Sequence, residues 1–375
     1  FEGNDILDGG AGNDTLIGGA GNDVYVVDST GDVVTEVAGE GSGTGQSLVS
    51  YTIGANVENL RLLGTANLNG TGNLDANVIN GNDGNNVLAG LGGADAIDGG
   101  AGSDTATYAA SLGGVNVSLA AGFGAGGDAE GDTLANIENL IGSAQNDTLE
   151  GDAGNNTLAG GAGTDTVSYA HATSGVTVSL AVTTAQNTLG AGTDTLSGFE
   201  NLSGSAFNDS LTGNTGANEL IGGAGNDNLN GGGGNDTLLG GLGNDFLTGG
   251  AGSDTFVYAS GGGSDFVSDF VRGQGDRIDV TGVSGIYGLA DIQSRATQQG
   301  PNTLIDFGNG DIVTLANVSV GSLVASDFVF AANSAPTDIG LSNTSVAENS
   351  AAGTVVGALS AVDPDAGDSA TYALL

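Results

Sequence analysis

Apolar side chains stand alone in this chain, one every nine residues, on a background of glycine, asparagine and aspartate. In residues 222–256, GGAGNDNLNGGGGNDTLLGGLGNDFLTGGAGSDTF, they are Leu229, Leu238, Leu247 and Phe256. Each is the centre of an x-h-x triplet that follows a glycine run. So short an alternation predicts a three-residue strand with one inward side chain. The glycines, free to take positive φ, predict a tight loop before it. The same inward column runs through Leu7, Leu16, Tyr25, Ile79, Leu88, Ile97, Ala106, Leu149, Leu158, Val167, Leu211 and Leu220. Two units then make one coil of a flattened parallel β-solenoid, and residues eighteen apart stack. A helical period is suggested only around 288–296.

The units, of the form G-G-x-G-N-D-x-h-x, fall into four blocks. Residues 1–26 carry Asp5, Asp14 and Asp23 in the acid column; 72–107 carry Asn77, Asn86, Asp95 and Asp104. Residues 142–168 carry Asp147, Asn156 and Asp165; 204–257 carry Asp209, Asn218, Asp227, Asp236, Asp245 and Asp254. The segments between blocks also repeat. YAASLGGVNVSLA at 108–120 matches YAHATSGVTVSLA at 169–181, and DTLANIENLIGSAQNDTL at 132–149 matches DTLSGFENLSGSAFNDSL at 194–211. They read as short strands continuing the stack as wider turns, with the recurring Glu-Asn-Leu at structural corners. The expected organisation is repeat blocks with inserts over 1–107 and 108–257, then a β capping region over 258–330. A linker over 331–342 and an incomplete β-sandwich over 343–375 complete it. The cap is expected because an open solenoid edge must be covered.

Composition narrows the chemistry. There are 44 acids against 4 bases, a formal charge of −40, so polyanions such as nucleic acid and anionic membranes are repelled and cations attracted. Glycine at 73 of 375 on a period of nine, with 3 prolines, excludes collagen; apolar residues held in register argue against disorder. Cysteine is absent, which removes disulfides and thiolate chemistry. No run is long enough to span a bilayer, and no signal peptide is seen. Phe1 already lies inside a repeat, so a piece of a longer polypeptide is expected.

Stacked acids about 4.8 Å apart repel by about 3 kcal/mol at an effective dielectric of 20. One buried leucine per unit returns about 2–3 kcal/mol, against roughly 9–18 kcal/mol for ordering nine backbones. A cation between the loops reverses the repulsion. With only carboxylate and carbonyl oxygens on offer, calcium is favoured over magnesium, and binding and folding become one event.

These residues resemble the RTX (repeats-in-toxin), or haemolysin-type, calcium-binding family, whose nonapeptide is known for this role. The resemblance implies a right-handed parallel β-roll, several calcium ions, export by a type I secretion system and an extracellular, secreted or cell-surface location. It implies side-chain ligands from Asp5, Asp14, Asp23, Asp95, Asp104, Asp147, Asp165, Asp209, Asp227, Asp236, Asp245 and Asp254. Loop carbonyls such as those of Gly223, Gly225, Gly232 and Gly234 would complete the shells. Asn77, Asn86, Asn156 and Asn218 depart from the pattern and imply weaker sites. Asp5/Asp23, Asp147/Asp165, Asp209/Asp227, Asp227/Asp245 and Asp236/Asp254 are the best-formed pairs. Residues 258–330 resemble the capping region that follows such repeats in secreted bacterial proteins, including serralysin-type proteases. Residues 336–375 resemble the first strands of a cadherin-like β-sandwich, with Glu348, Asp363 and Asp365 at that family's calcium positions.

Against these readings stand plainer ones. The acid column could be a row of Asn-Asp turns, but turn preference does not select Asp over Asn at twelve of sixteen units. Asp265, Asp269, Asp276 and Asp279 are as readily solvated as ligating. His171, the sole histidine, is read as a solvated side chain. No H-E-x-x-H, G-x-S-x-G or P-loop is present, so no enzyme is expected in this piece. The expectation is a noncatalytic, extracellular calcium-binding module of a large secreted adhesin or surface-layer protein, with a cell-surface or polysaccharide ligand or self-assembly as possible partnerships. The alternatives are an accessory and secretion module of a type I-secreted protease, lipase or polysaccharide-modifying enzyme, or a roll binding carbohydrate or ice through its insert strands.

Overall fold

A computed structural model describes residues 2–332 together with the pairing of Asp338–Leu341 and Leu359–Val362. The cadherin-like reading, with Glu348, Asp363 and Asp365, lies outside the described residues. Successive short strands alternate between two opposed sheets, because each glycine corner reverses the chain and each x-h-x triplet has one apolar residue to bury. The described residues form an all-β fold with one short α-helix, Leu289–Arg295, close to where a helical period is seen in the sequence. One sheet of 17 strands carries Ile6–Asp8, Val24–Val27, Val78–Asn80 and Ala96–Asp98 at its start.

Strands one coil apart, eighteen residues in the regular repeats and more where inserts or the capping region intervene, pair in parallel. In one sheet the register runs Leu202, Leu220, Leu238, Phe256, Ile278, Phe328. In the opposite sheet it runs Val178, Leu211, Leu229, Leu247, Val267, Leu315. All of these side chains are buried, and they fill the space between the sheets. Each ladder passes from the repeats into the capping region without a break. In the fourth block the strands lengthen to six residues, as in Glu219–Ala224 and Asn228–Gly233, so that they take in glycines expected to be loop.

The two related inserts do not form wider turns. In the first, Asn116–Ser118 and Phe123–Ala125 form an antiparallel pair, Phe123 pairs antiparallel with Thr133, and Asn116 pairs in parallel with Thr148. A reversed strand is thus stitched between two forward ones. The second insert repeats this with Gln186–Leu189 antiparallel to Gly192–Ser197, and Thr177–Ser179 parallel to Ser210–Thr212. The stitches lie in opposite sheets, since the first leaves the stack after Thr105–Thr107 and the second after Thr166–Ser168. Over 258–330, the antiparallel strands Ala296–Gln299, Asn302–Gly308 and Asp311–Leu315 cover one sheet edge. Arg272 Nε donates to Asp327 Oδ1 at 2.8 Å and ties this region together.

Candidate metal centres

The corners are built by the Asn-Asp dipeptide, whose two side chains work in opposite senses along the stack. The N–H of Asn226 donates to Asn208 Oδ1 at 2.8 Å, and that of Asn244 to Asn226 Oδ1 at 2.8 Å, so each asparagine receives from the next coil. The N–H of Asp209 donates to Asp227 Oδ1 at 2.7 Å, that of Asp227 to Asp245 Oδ1 at 2.8 Å, and that of Asp236 to Asp254 Oδ1 at 2.9 Å. One carboxylate oxygen of each acid is therefore structural. Glu58, Glu138 and Glu200 of the Glu-Asn-Leu motifs do the same for the N–H groups of Gly43, Asp104 and Asp165 at 2.7, 2.7 and 2.9 Å, which makes them corners as expected.

The second oxygen divides the corners into two kinds. Oδ2 of Asp5, Asp14, Asp23, Asp95, Asp104, Asp165, Asp227, Asp236, Asp245 and Asp254 is buried and accepts nothing. These are ten of the twelve aspartates of the acid column. The other two, Asp147 and Asp209, are satisfied: Ser143 and Ser205 donate their backbone N–H to the respective Oδ2 at 2.6 Å, and their hydroxyls donate as well. Both sit in pairs expected to be among the best formed, and the serines account for the difference. The asparagine corners are closed too. Asn218 Nδ2 donates to the Glu200 carbonyl at 2.7 Å and Asn156 Nδ2 to that of Glu138 at 2.8 Å, while each amide oxygen accepts a backbone N–H. In the inserts a phenol does the closing: Tyr108 donates to Asp132 Oδ2 at 2.9 Å and Tyr169 to Asp194 Oδ2 at 3.2 Å.

An ionised oxygen buried without a partner costs at least about 1–3 kcal/mol, so ten would cost on the order of 10–30 kcal/mol. That is as large as, or larger than, the roughly 5–15 kcal/mol of a whole fold. A proton or a cation must therefore meet them. The surroundings fit a hard cation. A Cβ built on Gly231 would meet Asp236 Oδ2 and lie 2.6 Å from the Gly249 carbonyl oxygen; one on Gly222 would meet Asp227 Oδ2 and the Gly240 carbonyl. Carboxylate and carbonyl oxygens thus face one small space that only glycine leaves open. Gly240 and Gly249 were not singled out from the sequence. The carbonyls of Gly223, Gly225, Gly232 and Gly234 instead point at Gly241, Gly243, Gly250 and Gly252 of the next loop. Among the described residues no three His, Cys, Asp or Glu side chains form a ready metal cluster, so carbonyl or water oxygen must complete any shell.

Protonation meets the need only in acid. Burial first, then neighbouring carboxylates, push Asp227 up to about 7 and Asp236 to about 6, with Asp165 also at about 6. A carboxyl raised in this way stabilises the fold fully below its unfolded value near 3.9. That contribution is lost as pH rises through 6–7. The metal-free protein is therefore expected to melt at a higher temperature at pH 5 than at pH 8, followed by circular dichroism on dialysed samples. A higher melting temperature at pH 8 would contradict the assignment of these corners.

His171 is solvated on one side only. Its ring Nδ1 lies 2.7 Å from Glu150 Oε2, which also accepts the Ser118 hydroxyl at 2.6 Å.

Comparison with known proteins adds the following. The RTX calcium-binding nonapeptide repeat (4 copies) matches residues 1–34, 71–106, 132–167, 194–229, 203–238 and 230–267. Among solved structures, the chain is similar to the extracellular lipase LipA from Serratia marcescens at 18% identity and a TM-score of 0.27, over 77% of this chain and 45% of the lipase. It is also similar to the AlgE6R3 subunit of the Azotobacter vinelandii mannuronan C5-epimerase at 30% identity and a TM-score of 0.29, over 40% of this chain and 92% of that one. The chain spans less than half the length of the lipase. No curated protein matches it. No helix among the described residues is long and apolar enough to cross a membrane.

Proposed function

Because this chain belongs to the RTX calcium-binding nonapeptide-repeat family, a family of calcium-binding structural modules in type I-secreted proteins, we propose that it is an extracellular module whose roll sets when calcium enters its open corners. The observation that carries this reading is the set of ten buried carboxylate oxygens without a partner. Calcium, when bound, supplies two positive charges and several bonds to oxygen. Asp227 with Asp245, and Asp236 with Asp254, would hold it on the two edges, together with carbonyls such as those of Gly240 and Gly249. The chain's own part is separable from the ion. Each Oδ1 hangs one coil from the next, and each glycine wall keeps Oδ2 reachable.

The module is noncatalytic in this proposal and serves a large secreted adhesin or surface-layer protein as a stiff acidic spacer. The charge of −40 supports a solvated, cation-collecting surface. Service as the accessory and secretion module of a secreted enzyme is the second reading, and a catalytic motif upstream of Phe1 would favour it. The calcium reading is tested by titrating metal-free protein with calcium and, separately, magnesium. β circular dichroism is expected to rise with calcium at concentrations where magnesium leaves it flat, because magnesium demands a stricter octahedron. Equal responses to both ions would sink the choice of calcium.

A further inference from the structure

Open and closed corners differ at one backbone position, four residues before the corner residue. Before the open acids Asp14, Asp23, Asp104, Asp165, Asp227, Asp236, Asp245 and Asp254 stand Gly10, Gly19, Gly100, Gly161, Gly223, Gly232, Gly241 and Gly250. All eight have positive φ, between 75° and 118°. Before open Asp95 stands Leu91, and it too has positive φ, at 69°. Before the closed corners Asn77, Asn86, Asp147, Asn156, Asp209 and Asn218 stand Asn73, Asn82, Ser143, Asp152, Ser205 and Asn214, none with positive φ. In all six the N–H of that residue donates into the corner side chain, at 2.6–2.9 Å. In these nine open corners no such bond forms. Leu91 separates conformation from residue type: it is not glycine, yet it has the φ of the open corners and its corner is open.

We propose that this φ decides whether a corner takes a cation, and that it marks one further hard-divalent-cation site, Asp245 with Asp265, at the junction of the repeats and the cap. The proposal rests on the calcium reading above and adds a rule for where the ions go. Asp265 lies outside the sixteen regular units, in the loop GGGSD. Four residues before it, Gly261 has φ of 94°, and its N–H donates away from the corner, to Asp311 Oδ2 at 2.8 Å. Asp265 Oδ1 accepts the N–H of Asp245 at 2.9 Å, as any acid of the ladder does. Asp265 lines a cleft of about 200 Å³ with Tyr258, Gly241 and Gly262, beside the apolar side chains of Leu239, Leu242 and Val257.

A second observation points to a ligand there. Asp104-Thr-Ala-Thr-Tyr108, Asp165-Thr-Val-Ser-Tyr169 and Asp254-Thr-Phe-Val-Tyr258 share one spacing. In the first two the phenol closes on an acid. Tyr258 is 5% exposed, and its hydroxyl is buried with no partner. Three oxygens gather on the Gly262 side of the cleft: a Cβ on Gly262 would lie 3.3 Å from the Ala259 carbonyl, 3.5 Å from that of Gly241 and 3.8 Å from Asp265 Oδ2. Asp245 and Asp265 both lie near enough to Tyr258 to act on its phenol, and a cation between the two carboxylates would offset their charge and give the phenol oxygen a neighbour.

The test counts calcium per chain by equilibrium dialysis in wild type, Ser205→Gly, Ser205→Ala and Asp265→Asn, each checked for an unchanged calcium-loaded circular dichroism spectrum. Ser205→Gly frees the backbone and is expected to gain one ion by opening Asp209. Ser205→Ala removes the hydroxyl but keeps the closing N–H, and is expected to gain none. Asp265→Asn keeps the Oδ1 acceptor and is expected to lose one ion. A gain in Ser205→Ala equal to that in Ser205→Gly would overturn the backbone rule, as would no gain in Ser205→Gly. An unchanged count in Asp265→Asn would overturn the junction site. A wild-type chain that binds no calcium would instead remove the reading on which both rest.

Discussion

Stripping calcium at pH 8 is expected to release the six-residue strands of the fourth block, from Glu219 to Ala251, into solvent-exchanging chain. Asp227, Asp236, Asp245 and Asp254 are then ionised and buried with one oxygen each unpartnered. At about 1–3 kcal/mol apiece the four cost on the order of 4–12 kcal/mol, comparable with the total stability of an ordinary fold. The buried leucines do not offset this. Leu229, Leu238 and Leu247 contribute about 2–3 kcal/mol each, already offset by the entropy of ordering their units. Hydrogen exchange gives the cleanest measurement. Backbone amides of Leu229, Leu238 and Leu247 should be protected with calcium and exchange within minutes after its removal. Amides near the closed corners Asn77 and Asn86 should lose less protection, since their side chains are satisfied by protein groups. Equal protection of the fourth block with and without calcium would defeat the claim that a cation holds it.

Replacing Asp236 and Asp254 together by alanine should have the second largest effect, on one edge alone. The N–H groups of Asn218 and Asp236 lose their acceptors, bonds of 2.8 and 2.9 Å to charged oxygen. At about 1.5–3 kcal/mol each, that loss alone is on the order of 3–6 kcal/mol. The calcium count should also fall, while the opposite edge with Asp227 and Asp245 keeps its ions. The paired asparagine replacement separates the two contributions. An amide oxygen can still accept the N–H groups, so most of the stability at saturating calcium should return while the lost ions do not. If the alanine pair binds as much calcium as wild type, these two corners are not ligands.

Much of this is legible in the sequence. The inward column from Leu7 to Phe256 and the acid beat fixed the coil, because a nine-residue unit with one apolar position has only one way to bury it. The division of the acids was not read, although its sign stood in the sequence. Ser143 and Ser205 replace a glycine four residues before Asp147 and Asp209, which became meaningful only when φ and hydrogen bonds were seen together. The reversed strands Phe123–Ala125 and Gln186–Leu189 were missed for a different reason. A three-residue strand carries no mark of its direction, and the partners that set it are distant in sequence. Tyr108 and Tyr169 open the repeated inserts, but their partners Asp132 and Asp194 lie 24 and 25 residues further on.

The opposed bonding of the Asn-Asp pair gives the molecule a polarity. Every acid column hangs its N–H groups from the coil that comes after, so a corner is complete only once its successor exists. At the end of the repeats, Asp265 and Asp276 receive the N–H groups of Asp245 and Asp254 at 2.9 and 3.0 Å. Shortening the chain from its beginning would leave each surviving acid-column N–H still hung. Cutting it after the last repeat would drop the final pair, and whatever order they maintain would fray backwards from the cut.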